Sequence, residues 1–215
     1  MIFPDVQVLI WDFDGTLYKP NAELFHDVRE SEYHAIMEHT GWDREKAIEE
    51  FHKFHKVTIQ SATAVVAKLC SIPIAAAAVE SEKYFDRRNY IHRDPRLIDV
   101  FERLKHYRHF ILANGVIAKH KETLRVLGIP VDTFEEFVTA ETVGVTKPNQ
   151  EGFVYIMKKT GLPPNVHLMI GDRELVDVAP AKKLGMHTCL VWSDTKSAIA
   201  DVTLSTVYDV AQLLV

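Results

Sequence analysis

Short apolar runs at 6–11, 110–113, 134–139, 166–170 and 188–192 divide the chain, each rich in residues that favour extended backbone. The first, with Val6, Val8, Leu9, Ile10 and Trp11, stops abruptly at Asp12 and leads into a turn with Gly15. Runs without polar alternation predict strands buried on both faces. Between the later runs the apolar spacing becomes helical. Leu97, Val100, Phe101 and Leu104 follow an Asp94-Pro95 start, in which Asp caps and Pro occupies the first turn. Ile117, His120, Leu124 and Leu127 lead to Gly128; Phe153, Ile156 and Met157 lead to Gly161; Leu175, Val178, Ala179 and Leu184 lead to Gly185. Strand–helix alternation predicts an α/β fold, a Rossmann-like parallel sheet covered on both faces.

The stretch 18–93 carries no strand pattern. Leu24, Val28, Ala35 and Ile36 predict one helix, and Ala47, Ile48, Phe51 and Phe54 a second after Gly41. Two more follow at 59–69 and 74–85, the last with an alanine run at 75–78 that suits close helix packing. The expected organisation is therefore a core made of 1–17 and 94–215, with an all-helical domain of 18–93 inserted after the first strand.

Composition narrows the class. Hydrophobic residues at 47% and charged residues at 26% are ordinary globular usage, which excludes a disordered or fibrous chain. A net charge of -5 without a dense basic run gives no nucleic-acid footprint, and no apolar run is long enough to span a bilayer. The N-terminus lacks the charge and apolar pattern of a secretory leader, so a cytoplasmic location is expected. Cys70 and Cys189 read as unpaired thiols in apolar settings. The oligomeric state stays open.

The polar residues directly after strand ends carry the chemistry, because ligands of open parallel sheets bind there. Asp12, Asp14, Gly15 and Thr16 follow the first strand, Asn114 and Gly115 the second, Lys147-Pro148 the third, and Gly171-Asp172 with Asp177 the fourth. If the fourth strand lies beside the first, Asp12, Asp14 and Asp172 converge, and such carboxylates repel unless a cation neutralises them. An all-oxygen set suits Mg²⁺. Taken singly, each motif is ordinary: Asp-x-Asp also describes a solvated turn, and most lysines are surface charges. Their order along one chain is not ordinary.

Together the motifs resemble the haloacid dehalogenase superfamily. Asp12-x-Asp14-Gly15-Thr16 is similar to its first motif, Lys147-Pro148 to its third and Gly171-Asp172-x4-Asp177 to its fourth, while the helical insertion resembles its C1 type of cap. The resemblance implies a Mg²⁺-dependent phosphatase acting on a small phosphorylated metabolite. Asp12 would be the nucleophile and Asp14 the general acid and base, with its backbone carbonyl also on the metal. Asp172 would complete the metal site, Asp177 would stand beside or behind it, and Lys147 would hold Asp12 and the phosphate. Asn114, Gly115 and Thr16 would border the phosphate. One departure stands out: Ala113 occupies the position of the second motif's Ser or Thr hydroxyl. Two alternatives follow, a phosphomutase using the same residues and a catalytically silent metabolite-binding protein. Asp14 argues against dehalogenation, which does without a second carboxylate.

Four further readings concern the insertion. His52 and His55 share a helical face with Glu49, in which a solvated or partly packed face is preferred over a zinc site. Tyr18 is the candidate to line the substrate side. Arg87 and Arg88 are expected to be exposed. The remaining aromatic residues, such as Tyr33 and Phe51, are expected to fill the insertion's own core.

Overall fold

The computed structural model describes residues 2–19 and 21–214. Strands β1 (Val8–Trp11), β2 (Arg108–Leu112), β3 (Glu136–Val138), β4 (His167–Gly171), β5 (His187–Leu190) and β6 (Val202–Thr203) form one parallel sheet in the order β3-β2-β1-β4-β5-β6. β1 sits between β2 and β4, so the chain reverses its direction of travel across the sheet at β1. Crevices at such a reversal open at the carboxyl ends of the strands. The observed β1, β3 and β5 are shorter than the apolar runs at 6–11, 134–139 and 188–192. β6 has two half-buried residues and no apolar run, and its pairing with β5 comes entirely from tertiary context.

Helices α1 (Ala22–Thr40), α2 (Arg44–Phe54), α3 (Ala62–Cys70) and α4 (Ile74–Ser81) form the insertion. α1, α2 and α3 each start on a side-chain cap, from Asn21, Asp43 and Ser61 respectively. α3 and α4 are shorter than the runs at 59–69 and 74–85 suggest, because Ser61 caps one late and Ser81 ends the other early. Tyr33, Ile36, Phe51, Val65 and Val66 form a separate apolar cluster within this block.

Helices α5 (Pro95–Arg103), α6 (Ile117–Leu127), α7 (Ala140–Val143), α8 (Glu151–Thr160) and α9 (Ala179–Lys183) pack on the sheet. Asp94 caps α5, and Gly128 and Gly161 end α6 and α8. The helix expected from Leu175 to Leu184 opens instead as a wide π-type turn at Glu174–Val178 before α9 begins. Alternate residues of the strands feed two clusters, Leu9, Trp11 and Ile111 on one face and Val8, Ile10 and Phe110 on the other. Phe110 is fully buried beside Phe153 and Met169. Truncation to alanine leaves a cavity that neighbouring strands cannot close, so Phe110→Ala should cost about 3–5 kcal/mol, read as a lowered urea midpoint.

Candidate active site

Parallel pairing of β1 with β4 puts Trp11 opposite Ile170, so the residues leaving both strands emerge side by side. Asp12 follows β1 and is 2% exposed; its amide donates to the carbonyl of Ile170. Asp172 follows β4, and Asp177 lies inside the π-type turn, fully buried. One carboxylate oxygen from each of Asp12, Asp172 and Asp177 falls within a 4.8 Å group. The close approach depends on Gly171, since a Cβ there would lie 2.5 Å from Cβ of Asp177. It also depends on Gly15, which has φ +85° and where a Cβ would come 2.5 Å from Oδ2 of Asp172.

Two cations face the three carboxylates. Nζ of Lys147, itself sealed from solvent, is 2.8 Å from Oδ1 of Asp12 and 2.5 Å from Oδ1 of Asp177. Nη2 of Arg173 is 3.6 Å from Oδ2 of Asp12, and its Nε is 3.8 Å from Oδ1 of Asp172. Burial raises the Asp12 carboxyl, but Lys147 and Arg173 outweigh it and hold the group below the usual carboxylate range. Asp172 goes the other way, pushed up to about 7 by burial and by the charges of Asp12 and Asp177. Burial first and the Asp12 charge second also raise Asp177, with Lys147 and Arg173 opposing. Three carboxylates against two cations leave one unmatched negative charge, and Oδ2 of Asp12 is buried without a hydrogen-bond partner. An orphaned anionic oxygen in an all-oxygen cluster is what a hard divalent cation satisfies. The residues present fit Mg²⁺.

Several predicted site residues stand elsewhere than expected. The Asp14 carboxylate is not in the cluster; it accepts from the Tyr18 hydroxyl and lies 3.3 Å from Nη2 of Arg87. Tyr18 lines no part of the cavity but packs in the core, and burial with the Asp14 charge pushes its hydroxyl well up. Thr16 is fully buried, its hydroxyl 3.5 Å from Oδ1 of Asp172, so it braces the cluster rather than bordering phosphate. The Asn114 amide is already used: Nδ2 donates to the Lys147 carbonyl and Oδ1 accepts from the Lys147 amide. It fixes the loop that carries Lys147. Gly115 reaches the cavity, and a Cβ there would meet Nε2 of His120 at 2.6 Å. Lys147 holds Asp12 from behind and does not line the cavity. Arg87, expected at the surface, is 6% exposed, whereas Arg88 is exposed. Its burial is supported by Glu82, 2.7 Å from Nη1, an ion pair that helical spacing does not reveal. His52 bonds Tyr33 and Glu49 pairs with Lys53, so no zinc set forms there; among the described residues the aspartate group is the one candidate for a metal. Both cysteines are free.

The cavity beside Asp12 has a volume of about 240 Å³ and lies between the sheet edge and the insertion. Asp12, Asp14, Ala113, Asn114, Asp172 and Arg173 form its sheet side. Ala113 presents a methyl group where the second motif offers a hydroxyl. Arg173 and the cavity-facing Glu32 escaped sequence analysis: Arg173 reads as a surface residue on a helix, and Glu32 as part of an exposed helical face.

The sequence model of the haloacid dehalogenase-like hydrolases matches residues 6–185. The chain belongs to that family. It is 32% identical over 123 residues to a glyceraldehyde 3-phosphate phosphatase of Methanothermobacter thermautotrophicus, a match spanning 54% of this chain and only 53% of that relative. It is 26% identical over 197 residues to the protein of the same name from Methanopyrus kandleri, covering 85% of this chain and 82% of the relative. The fold is similar to the crystal structure of a phosphatase of this family from Thermococcus onnurineus, with a TM-score of 0.67, 20% identity and 97% of each chain covered. No single helix among the described residues is long and apolar enough to cross a membrane.

His120 adds a titratable group to this hydrolase beneath the site. It is fully buried against the Phe13 ring, 4.3 Å between centroids, and neither ring nitrogen has a partner. Burial pushes it down to about 4, with Asp14 and Asp12 opposing and Arg87 and Lys147 adding to the shift. The folded protein therefore keeps His120 neutral while the unfolded chain takes up a proton as pH falls below about 6.5. Stability from this group is complete above that pH and is lost on the way down to about 4. Between pH 7 and 4.5 the loss amounts to about 2–3 kcal/mol. His120→Phe should shrink the acid-side drop by that amount in urea denaturation at the two pH values.

Proposed function

We propose that the protein is a Mg²⁺-dependent phosphomonoesterase acting on a small phosphorylated metabolite through an aspartyl-phosphate on Asp12, with 18–93 as its cap domain. The observation that carries the reading is the buried Asp12 carboxylate, kept anionic by Lys147 at 2.8 Å and facing a cavity with one orphaned oxygen. A small phosphate ester also agrees with the two glyceraldehyde 3-phosphate phosphatases to which the chain is similar.

In this reading an Asp12 oxygen attacks phosphorus and the ester P–O bond breaks. The Asp14 carboxyl, which borders the same cavity, gives its proton to the leaving oxygen. Water then attacks the acyl phosphate, Asp14 takes the water's proton back, and inorganic phosphate leaves with Asp12 restored. Asp12, Asp172 and Asp177, with the backbone carbonyl of Asp14, would hold the metal. Mg²⁺ supplies positive charge that lets an anionic nucleophile meet an anionic phosphate. Arg173 adds charge from the protein side, already placed before reaction begins. The insertion closes the far wall, where Thr63 of α3 donates to the Asn114 carbonyl, and so restricts water around the reacting bond.

Ala113 favours a second reading, a protein that binds a phosphate ester without turnover. Loss of a hydrogen bond to a charged group costs about 1.5–3 kcal/mol, which weakens catalysis rather than ending it. The two readings separate in a phosphate-release assay over a panel of metabolite phosphates. Turnover that requires Mg²⁺, stops with EDTA and vanishes in a folded Asp12→Asn variant is the expected result; activity retained by that variant would reject the covalent route. Ala113→Thr should raise kcat/KM or leave it unchanged, and a large loss would place the second motif at another residue.

A further inference from the structure

We propose that the cavity wall supplied by the insertion is a subsite for a short, neutral, hydroxyl-bearing leaving group, in which Glu32 and Ser81 bond its hydroxyls. The inference rests on the phosphate-ester reading above and names which esters suit the site.

The wall combines built polarity with matched charge. Glu32 on α1 is 5% exposed, and Ser81 at the end of α4 is 8% exposed; both line the cavity. Oγ of Ser81 and Nε of Arg87 are sealed from solvent and have no hydrogen-bond partner. A buried polar group left unpaired costs about 1–3 kcal/mol, so unpaired groups in a cavity wall mark where a ligand's polar atoms belong. The ligand is not an anion at this end. Arg29 is matched by Glu32 at 2.5 Å, and Arg87 by Glu82 at 2.7 Å and Asp14 at 3.3 Å. His55 is neutral near pH 7, burial having pushed it down to about 4 with help from Arg29 and Lys56. Lys56 is exposed at the rim. Each guanidinium of this wall already faces a carboxyl group, leaving no free partner for a second phosphate or a carboxylate; Glu32 itself is pushed up to about 7 by burial, with Arg29 opposing. Hydroxyl groups suit the wall instead, donating to the Glu32 carboxylate and both donating to and accepting from Ser81. Size agrees. A volume of about 240 Å³ lies below the roughly 300–1,000 Å³ of pockets for drug-sized ligands and must also hold the phosphate.

Three esters with the same carbon count separate the terms: glycerol 1-phosphate carries two hydroxyls, propyl phosphate none, and 3-phosphoglycerate a carboxylate. Calorimetric binding to full-length Asp12→Asn with Mg²⁺ reads the wall without turnover, and phosphate release by the unsubstituted protein reads it with turnover. Glycerol 1-phosphate is expected to lead both others by about tenfold, because a site built for a hydroxyl rejects the analogue that lacks it. Adding Ser81→Ala, and separately Glu32→Gln, should cut the preference over propyl phosphate severalfold; Ser81→Ala removes a single oxygen and keeps the test sound if the Glu32 variant unfolds. Equal affinities, no binding of any ester, a preference for 3-phosphoglycerate, or a preference unaffected in the folded variants would overturn the subsite. Absence of phosphate release with the binding order intact would instead overturn the hydrolase reading and leave the subsite standing.

Discussion

Two buried carboxylates and a half-buried third, held against two cations, form the constraint on which the site is built. The charge of Asp12 raises the proton affinity of Asp172 and of Asp177, and Lys147 and Arg173 offset only part of that repulsion while they hold Asp12 itself low. Packing such a cluster at the edge of a hydrophobic sheet is costly unless every oxygen has a partner. Most of the local architecture serves that need. Phe13 and Arg173 donate backbone amides to Asp12 and Asp177, Thr16 leans on Asp172, and Asn114 clamps the chain on both sides of the Lys147 peptide. The oxygen left without a hydrogen-bond partner is Oδ2 of Asp12, 3.6 Å from Nη2 of Arg173.

The sheet order explains why these residues meet although more than 150 positions separate Asp12 from Asp172. With β1 between β2 and β4, the first, second and fourth strands deliver their C-terminal residues to one crevice. The insertion enters from the same edge. Its two connections to the sheet carry Tyr18 and Arg87, and both side chains end on the Asp14 carboxylate. Asp14 is thereby tied to the insertion while Asp12, two residues earlier, is tied to Lys147. One short turn thus separates the roles of two carboxylates by giving each a different partner.

Much of the fold was legible in the residue pattern, for definite reasons. Buried parallel strands are apolar throughout, so β1, β2 and β4 stand out by composition, and Asp94-Pro95 and Gly128 mark helix boundaries through backbone preferences that do not depend on tertiary contacts. β6 did not stand out, because two half-buried residues carry no pattern of their own. The π-type turn at Glu174–Val178 reads as ordinary helix, since its apolar spacing is close to helical; in the structure its Asp177 packs against Gly171.

The motif residues Asp12, Asp14, Lys147, Asp172 and Asp177 were determined by the sequence alone, because strand ends and their polar neighbours are local features. Which of those carboxylates share a cluster, and which turns to the insertion, was decided only by tertiary structure. Arg87 and Glu32 show the reason most plainly. A charged residue on a helical or irregular segment reads as solvated, and only the fold shows that Arg87 is buried between Glu82 and Asp14 and that Glu32 is buried beside Arg29, one turn earlier on α1.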